Sequence, residues 1–356
     1  MAGQQLQADG LTPSSLWHTL AIMELLKDQD ATLAPLQGKT VAVLGYGNQG
    51  RAQGLNLRDS GVRVIVGNRD DAYRQQAVAD GFKPLSIREA AEAGDFLLIL
   101  TTDESQPLIW QEQIAPGVRA GKTLVWASGY NVGYDLIPLP ADVDVVMAAP
   151  RMTGHMVRTL FEHGKGALAQ FAVHQDASGH ARERVLALCK GIGLTRGGVF
   201  ESSFREEAEL DLFAEQVIWA GLTAWVVECF DIGVAHGFSP ELMVMELYAS
   251  GEASEILGAM AKNGFFKQMT HHSTTSQYGT LSRGPSLITE AMRDKAREFL
   301  RKDIKGGAFA KEWSQEQAGG SARLAALWRK ALAHPMSVAE DGVIRAIQSA
   351  HSLDAK

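Results

Sequence analysis

Cysteine is nearly absent: the chain of 356 residues carries only Cys189 and Cys229. Both sit in apolar, helix-like surroundings (VLALCKGIG, VVECFDIG), which disfavours a disulfide or a nucleophile and predicts buried, inert thiols in a reducing compartment. A surplus of basic residues is also missing. Lys+Arg 34 against Asp+Glu 41 gives a formal net charge of -7, the wrong sign for a nucleic-acid-binding face, so a small-molecule partner fits better. The N-terminus lacks the basic region and apolar stretch of a signal peptide, and no uninterrupted apolar run approaches the ~18 residues of a membrane span. These absences predict a cytoplasmic protein with neither membrane nor nucleic acid as partner. No internal repeat or low-complexity tract occurs. What remains is an ordinary globular composition, 46% hydrophobic and 21% charged, in a chain long enough for two domains of roughly 100–200 residues each.

Residues 1–37 stand apart, and within them LWHTLAIMELLKD has helical spacing and predicts an extra helix without chemistry. From Lys39 the period changes. TVAVL, VRVIV, FLLIL, TLVWA and VDVVMAA are short, β-branched-rich runs separated by helix-like or turn-rich segments, as a parallel sheet covered on both faces requires. ALAQFAVHQ and the helix SGHARERVLALCKGIG extend this α/β domain over 38–201. Beyond Phe204 strand signals nearly vanish, and 202–356 reads as an all-α domain.

The first strand runs into VAVLGYGNQG, where Gly45, Gly47 and Gly50 form G-x-G-x-x-G between a strand and a helix. Glycines there permit the tight turn and the approach of a pyrophosphate to the helix N-terminus, so a Rossmann dinucleotide site is predicted. The second strand ends at Asn68-Arg69-Asp70-Asp71. An acidic residue at this distance accepts from the ribose diol of NAD, whereas arginine serves the 2′-phosphate of NADP. Asp70 and Asp71 should repel a phosphate and favour NADH over NADPH, although Arg69 and Arg74 could bind one, and an ordinary charged turn would look the same.

AELDLFAEQ poses a different question. As a helix it puts Asp211 and Glu215 on one face, and like charges at that spacing repel. A solvated helix face would tolerate them; a hard-cation site would use them, since Mg²⁺ is held by one or two carboxylates with waters and substrate oxygens.

Taken together, GYGNQG with NLRDSG, APRMTGHMVR, GKGALAQFAVHQDASGHA, FREEAELDLFAEQ, STTSQYG and DIKGGAFAKEW resemble, in order, the ketol-acid reductoisomerase family over roughly residues 38–349. The resemblance implies an N-terminal Rossmann domain and a knotted helical C-terminal domain that dimerises, or builds larger assemblies, with the active site shared between subunits. It implies a reaction that moves an alkyl group within a 2-hydroxy-3-oxo acid and then reduces the 2-oxo acid with NADPH, organised by two Mg²⁺ ions. Tyr46, Asn48 and Gln49 match the family's cofactor loop, Asp103 to Gln106 its second nucleotide contact, and Gly154 a third. Asp211 matches the carboxylate bridging two metals, Glu215 the one completing the first, Glu246 one at the second, and Ser273 the serine that contacts the substrate carboxylate. The last two would come from the other subunit.

Other positions depart from the pattern. Ser128 stands where the family has histidine, Arg151 where it has lysine, and Ser250 where it has its final acidic residue. Serine titrates far from neutral pH, and arginine cannot donate a proton there. The replacements predict a nicotinamide-dependent reductase of a 2-oxo acid, or of a related C=O, C=N or C=C bond, with the isomerase step weakened or lost and one Mg²⁺, two or none retained. The alternatives are a true ketol-acid reductoisomerase and a non-catalytic dinucleotide-binding paralogue.

Overall fold

β-Branched and leucine-rich runs, apolar on both alternating faces, can be buried only inside a covered sheet. The computed structural model describes residues 23–353, and there those runs become one eight-stranded sheet. β1 (Leu25–Leu26), β2 (Thr40–Leu44), β3 (Arg63–Gly67), β4 (Phe96–Ile99), β5 (Thr123–Trp126), β6 (Asp144–Pro150), β7 (Ala169–Gln175) and β8 (Val199–Glu201) lie in the order β1-β8-β7-β6-β5-β4-β2-β3. The pairs from β3 through β6 are parallel. Two pairs depart from the expected parallel sheet: β7 runs antiparallel to β6, and β1 antiparallel to β8. The chain passes from β2 to β3 on one side and to β4 on the other, which opens a crevice at the carboxyl end of β2.

Alternate residues of single strands feed two separate cores. Val41, Val43 and Leu98 join the cluster on one face, and Ala42, Leu44 and Leu97 the cluster on the other. Burial of both faces is what fixes the register, since a one-residue slip would exchange the two sets. Lys122, at the foot of β5, is buried and its ammonium donates to the carbonyls of Ala91, Glu92 and Gly94 at 2.6–2.8 Å. Burial depresses its pKa, and the three carbonyls at the end of helix Ile87–Ala93 offset the cost of burying the charge.

The chain divides into two compact units, residues 1–208 and 209–356. In the first, the helix expected in LWHTLAIMELLKD needs correction. Its beginning lies outside the described residues, while Leu25–Leu26 is a strand, because pairing with β8 satisfies its backbone where one helical turn would stand alone. In the second unit every element is helical. The helix Phe204–Ala235 begins just before the boundary and is long and apolar enough, by length and composition, to cross a membrane, with 11% of the most apolar window buried. The sequence reading had found no such run because Asp211, Glu215, Glu228 and Asp231 interrupt it. Length and composition alone are weak grounds for a span, since core helices of soluble proteins meet the same description. Cys189 is buried, its thiol pushed up to about 12 by desolvation, whereas Cys229 is half-buried; both are free.

Candidate functional site

The turn after β2 is built by its glycines. Gly45 has φ +97, and a Cβ there would come within 2.9 Å of the Thr101 amide nitrogen. A Cβ on Gly50 would run into the Gly45 carbonyl oxygen, and one on Gly154 into the Asn48 carbonyl oxygen. Gly47, by contrast, faces open space at the N-terminus of helix Asn48–Asp59. The backbone thus approaches itself at Gly45, Gly50 and Gly154 more closely than any side chain would allow, and the open side of Gly47 leaves the first-turn amides reachable by an anion. Gln49 donates to the Met152 carbonyl (2.8 Å) and the His155 amide to Asn48 Oδ1 (3.3 Å), so the segment carrying Gly154 is tied to the same loop. A cavity of about 640 Å³ lies alongside, with Gly47, Asn48, Arg51, Gly154 and Arg158 in its wall.

Tyr46 takes part only through its backbone. Its side chain is fully buried against Phe82, and its hydroxyl, raised in pKa by burial and then by Asp80, donates to Asp80 Oδ2 at 3.1 Å. Arg51 clasps the same carboxylate at 2.7 and 2.9 Å and, more than any other group, holds it below the usual carboxylate range. The Tyr46 amide donates to Asn68 Oδ1 (2.8 Å), and Asn68 Nδ2 donates to Asp71 Oδ1 (2.8 Å). Asn68 thus couples the glycine loop to the turn after β3.

In that turn the charges have distinct tasks. Asp71 caps helix Ala72–Ala79, accepting from the Tyr73 and Arg74 amides, and pairs with Arg69 at 2.7 Å. Burial pushes its carboxyl up, but hydrogen bonds from Arg69, Arg74, Asn68 and Tyr73 outweigh it, and the carboxyl sits below its ordinary range. Arg74 is spent on the carbonyls of Asn68, Leu85 and Pro84. Asp70 and Arg69 are exposed at the rim.

After β4, Gln106 is a buried hub rather than an outward contact. Its Nε2 donates to the Thr101 carbonyl (2.9 Å), and its Oε1 accepts from Trp126 Nε1 and Asn131 Nδ2, both at 3.0 Å. Asn131 also donates to the Asp103 carbonyl, which fixes the Asp103 loop against β5. Around this hub three buried polar atoms find no partner among the described residues: Thr101 Oγ1, Tyr130 Oη and Asn131 Oδ1. Burial, Tyr134 and Asp103 push the Tyr130 hydroxyl up to about 12. An orphaned buried polar atom costs roughly 1–3 kcal/mol, so three of them beyond β4 and β5 suit a ligand with donors and acceptors of its own. The loop and these atoms together fit a nicotinamide dinucleotide.

Ser128 Oγ lies 3.4 Å from Asp103 Oδ2. Arg151 donates from Nη1 to Glu207 Oε1 at 2.6 Å, and Glu207, its side chain 2% exposed, accepts the Gly129 amide on its other oxygen. The sequence reading had missed Glu207, although it stands four residues before Asp211 on the same helical stripe, and that spacing could have revealed it.

In the helical unit, Glu215 falls in the π-helical turn Ala214–Trp219 and Glu246 in a second, Met245–Ala249. Such turns are rare and frequently mark functional sites. Asp211 lies one turn ahead of the first. Among the described residues no three acidic, histidine or cysteine side chains converge to hold a metal; within one chain, then, Glu246 does not join Asp211 and Glu215. Oxygen donors alone are nonetheless the right chemistry for Mg²⁺. Ser273 caps helix Thr274–Leu287 and is exposed, as is Ser250.

Comparison with known proteins accounts for both units. Residues 35–198 match the family model described as acetohydroxy acid isomeroreductase, NADPH-binding domain, and 204–349 that described as ketol-acid reductoisomerase, C-terminal domain. The chain is 42% identical over 317 residues to a ketol-acid reductoisomerase (NADP(+)) of Pyrobaculum islandicum, covering 88% of this chain and 95% of that one. It is 42% identical over 315 residues to the enzyme of the same name from Pyrobaculum aerophilum, with the same coverages of 88% and 95%. Among solved structures, an NADH-preferring ketol-acid reductoisomerase from an uncultured archaeon superposes with a TM-score of 0.86 at 35% identity, covering 91% of this chain and 99% of the other.

Proposed function

The chain belongs to the ketol-acid reductoisomerase family and is an oxidoreductase, and on that premise we propose that it carries out the full family reaction, converting 2-acetolactate to 2,3-dihydroxy-3-methylbutanoate. The observation that carries this reading is the joint survival of the glycine loop and of Asp211, Glu215 and Glu246 on a chain whose curated relatives bear the name of the complete enzyme. Reduction alone, with the isomerase step lost, is the second reading; it rests on Ser128, Arg151 and Ser250. The relatives' names support the full reaction better.

Asp211 and Glu215 would hold Mg²⁺ on one chain, with Glu246 offered by a second copy across a homodimer. The ion would act as a Lewis acid on substrate oxygens, and the dinucleotide would supply the hydride. The protein's own contribution is positional. Helix Asn48–Asp59 presents its N-terminal amides to the pyrophosphate, the polar atoms around Gln106 meet the nicotinamide end, and Arg151, fixed by Glu207, presents positive charge to the substrate. NADH is the preferred reductant, because Asp71 engages the rim arginine that would otherwise receive a 2′-phosphate and Asp70 adds a second repelling charge. The free thiols suit a cytoplasmic location.

The test follows the absorbance of reduced nicotinamide with Mg²⁺ and either cofactor, offering 2-acetolactate and, separately, 3-hydroxy-3-methyl-2-oxobutanoate. Turnover of both is the expected result. Turnover of the second alone would replace the full reaction by reduction only, and silence with both would overturn both readings.

A further inference from the structure

We propose that His272 carries the acid–base chemistry for which Ser128, Arg151 and Ser250 are unsuited, acting directly on the substrate beside Ser273 and Glu246. The proposal rests on the functional reading above and supplies what it lacks, an imidazole that can both take and return a proton.

His272 immediately precedes Ser273 and lies half-buried between two adjoining cavities of the helical unit. One, of about 790 Å³, is walled by Glu246, Glu252 and His272 together with apolar side chains such as Ile256 and Met260. The other, of about 400 Å³, brings His272 together with Ser273, Glu252, Glu255 and His271. The charged and titratable side chains that line these cavities with His272 are Glu246, Glu252, Glu255 and His271. The imidazole is shared by the cavity that holds Glu246 and the one that holds Ser273.

Its orientation is fixed from behind. Gln268 is buried, 3% exposed, and its Oε1 lies 2.9 Å from His272 Nε2. On the far side, the Gln268 Nε2 lies 3.5 Å from the Phe265 carbonyl oxygen. An acceptor opposite Nε2 places the ring proton there and leaves Nδ1 as a base. Gln277 donates to the His272 carbonyl at 2.8 Å and holds the backbone. A base oriented by a third group is the arrangement that acid–base catalysis requires.

The step balances on this one ring. Nδ1 takes the proton of the C2 hydroxyl of 2-acetolactate, and the C2–O electrons form the new carbonyl as the methyl group leaves C2 with its bonding pair. The C2–methyl bond breaks, a C3–methyl bond forms, and the C3 carbonyl becomes an alkoxide. His272 returns the proton to that oxygen and is neutral again.

Turnover and ring titration are measured on wild type, His272→Asn and Gln268→Glu. In His272→Asn we expect kcat with 2-acetolactate to fall about 100-fold or more with KM little changed, reduction of 3-hydroxy-3-methyl-2-oxobutanoate to persist, and the acidic limb of the wild-type pH profile to vanish. In Gln268→Glu a carboxylate opposite Nε2 favours the imidazolium, so that limb should move up by about one pH unit; this variant keeps the histidine if His272→Asn fails to fold. An unchanged kcat and profile in His272→Asn, with wild type active on 2-acetolactate, would overturn the proposal and leave the functional reading standing. In histidine-labelled protein the His272 ring resonances should report an Nε2-protonated tautomer and shift when 2-acetolactate is added. A wild type that binds 2-acetolactate with that shift but turns over neither compound overturns the functional reading alone; no turnover and no shift overturns both.

Discussion

The two units differ in how completely they satisfy themselves. In the first, both faces of the sheet are sealed by large buried clusters, and the candidate residues are locked into hydrogen bonds with one another. In the second, among the described residues, few large apolar side chains are buried, Phe230 and Ile304 among them, while Ile218 (55%), Trp219 (50%) and Trp225 (43%) are exposed on the helix that also carries Asp211 and Glu215. A surface of that kind marks a contact face. On the function proposed above, the dinucleotide-binding unit is finished by its own chain, and the helical unit is the one left for a second copy to complete.

That contrast can be broken at several points. Asp211→Asn should lower turnover of 2-acetolactate by roughly 10³-fold, the worth of several kcal/mol of Lewis-acid stabilisation, and leave dinucleotide affinity intact; a parallel loss of affinity, read by fluorescence titration, would show that the two halves are not separable. Trp219→Glu should shrink the assembly seen by light scattering and abolish turnover while the first unit still binds dinucleotide. Retention of the native mass would deny that face its role. The double change Asp70→Ser and Asp71→Ser should raise the NADPH-to-NADH ratio of kcat/KM by roughly 10-fold, the worth of one charged hydrogen bond regained by Arg69. Serine still caps helix Ala72–Ala79, which limits the stability lost with the Asn68 and Arg69 bonds to Asp71; an unchanged ratio would strip Asp70 and Asp71 of their part in selection. The smallest effect concerns acid. The carboxyls of Asp80 and Asp71 lie below their ordinary values in the folded state, so the stability they contribute is complete above about pH 4 and is lost as pH falls through the depressed values. Asp80→Asn should flatten the decline in melting temperature between about pH 5 and pH 2, and a slope identical to wild type would show the Arg51 pair to be inconsequential.

The strands of the first unit were legible because a doubly covered sheet writes itself as unbroken apolar runs, and the glycine loop because each glycine answers a steric demand. Leu25–Leu26 was not. Its sequence favours a helix, and only a partner strand some 170 residues away, at Val199–Phe200, overrides it. The carboxylates at 211, 215 and 246 were readable as a motif, but the π-helical turns that carry two of them leave no trace in residue spacing. Glu207 was passed over because the pattern around it looked fully used by its neighbours; its partners, Arg151 and Gly129, come from β6 and β5 loops that no local pattern connects to it. Tyr46 and Gln106 were expected to face the cofactor, yet both side chains turn inward, since a motif says nothing of which way a residue faces.

The bridge through Asn68 divides labour in a way that bears on how such a protein can change. One amide side chain braces the glycine loop from below and, through Asp71, the neighbouring turn from the side, while Arg69 and Asp70 sit beyond it at the solvent edge. A change at Asp70 therefore leaves that frame untouched, whereas one at Asp71 removes both the acceptor of the Asn68 bond and the cap of helix Ala72–Ala79. Asn68 serves both sides at once, its Oδ1 on the loop and its Nδ2 on the turn.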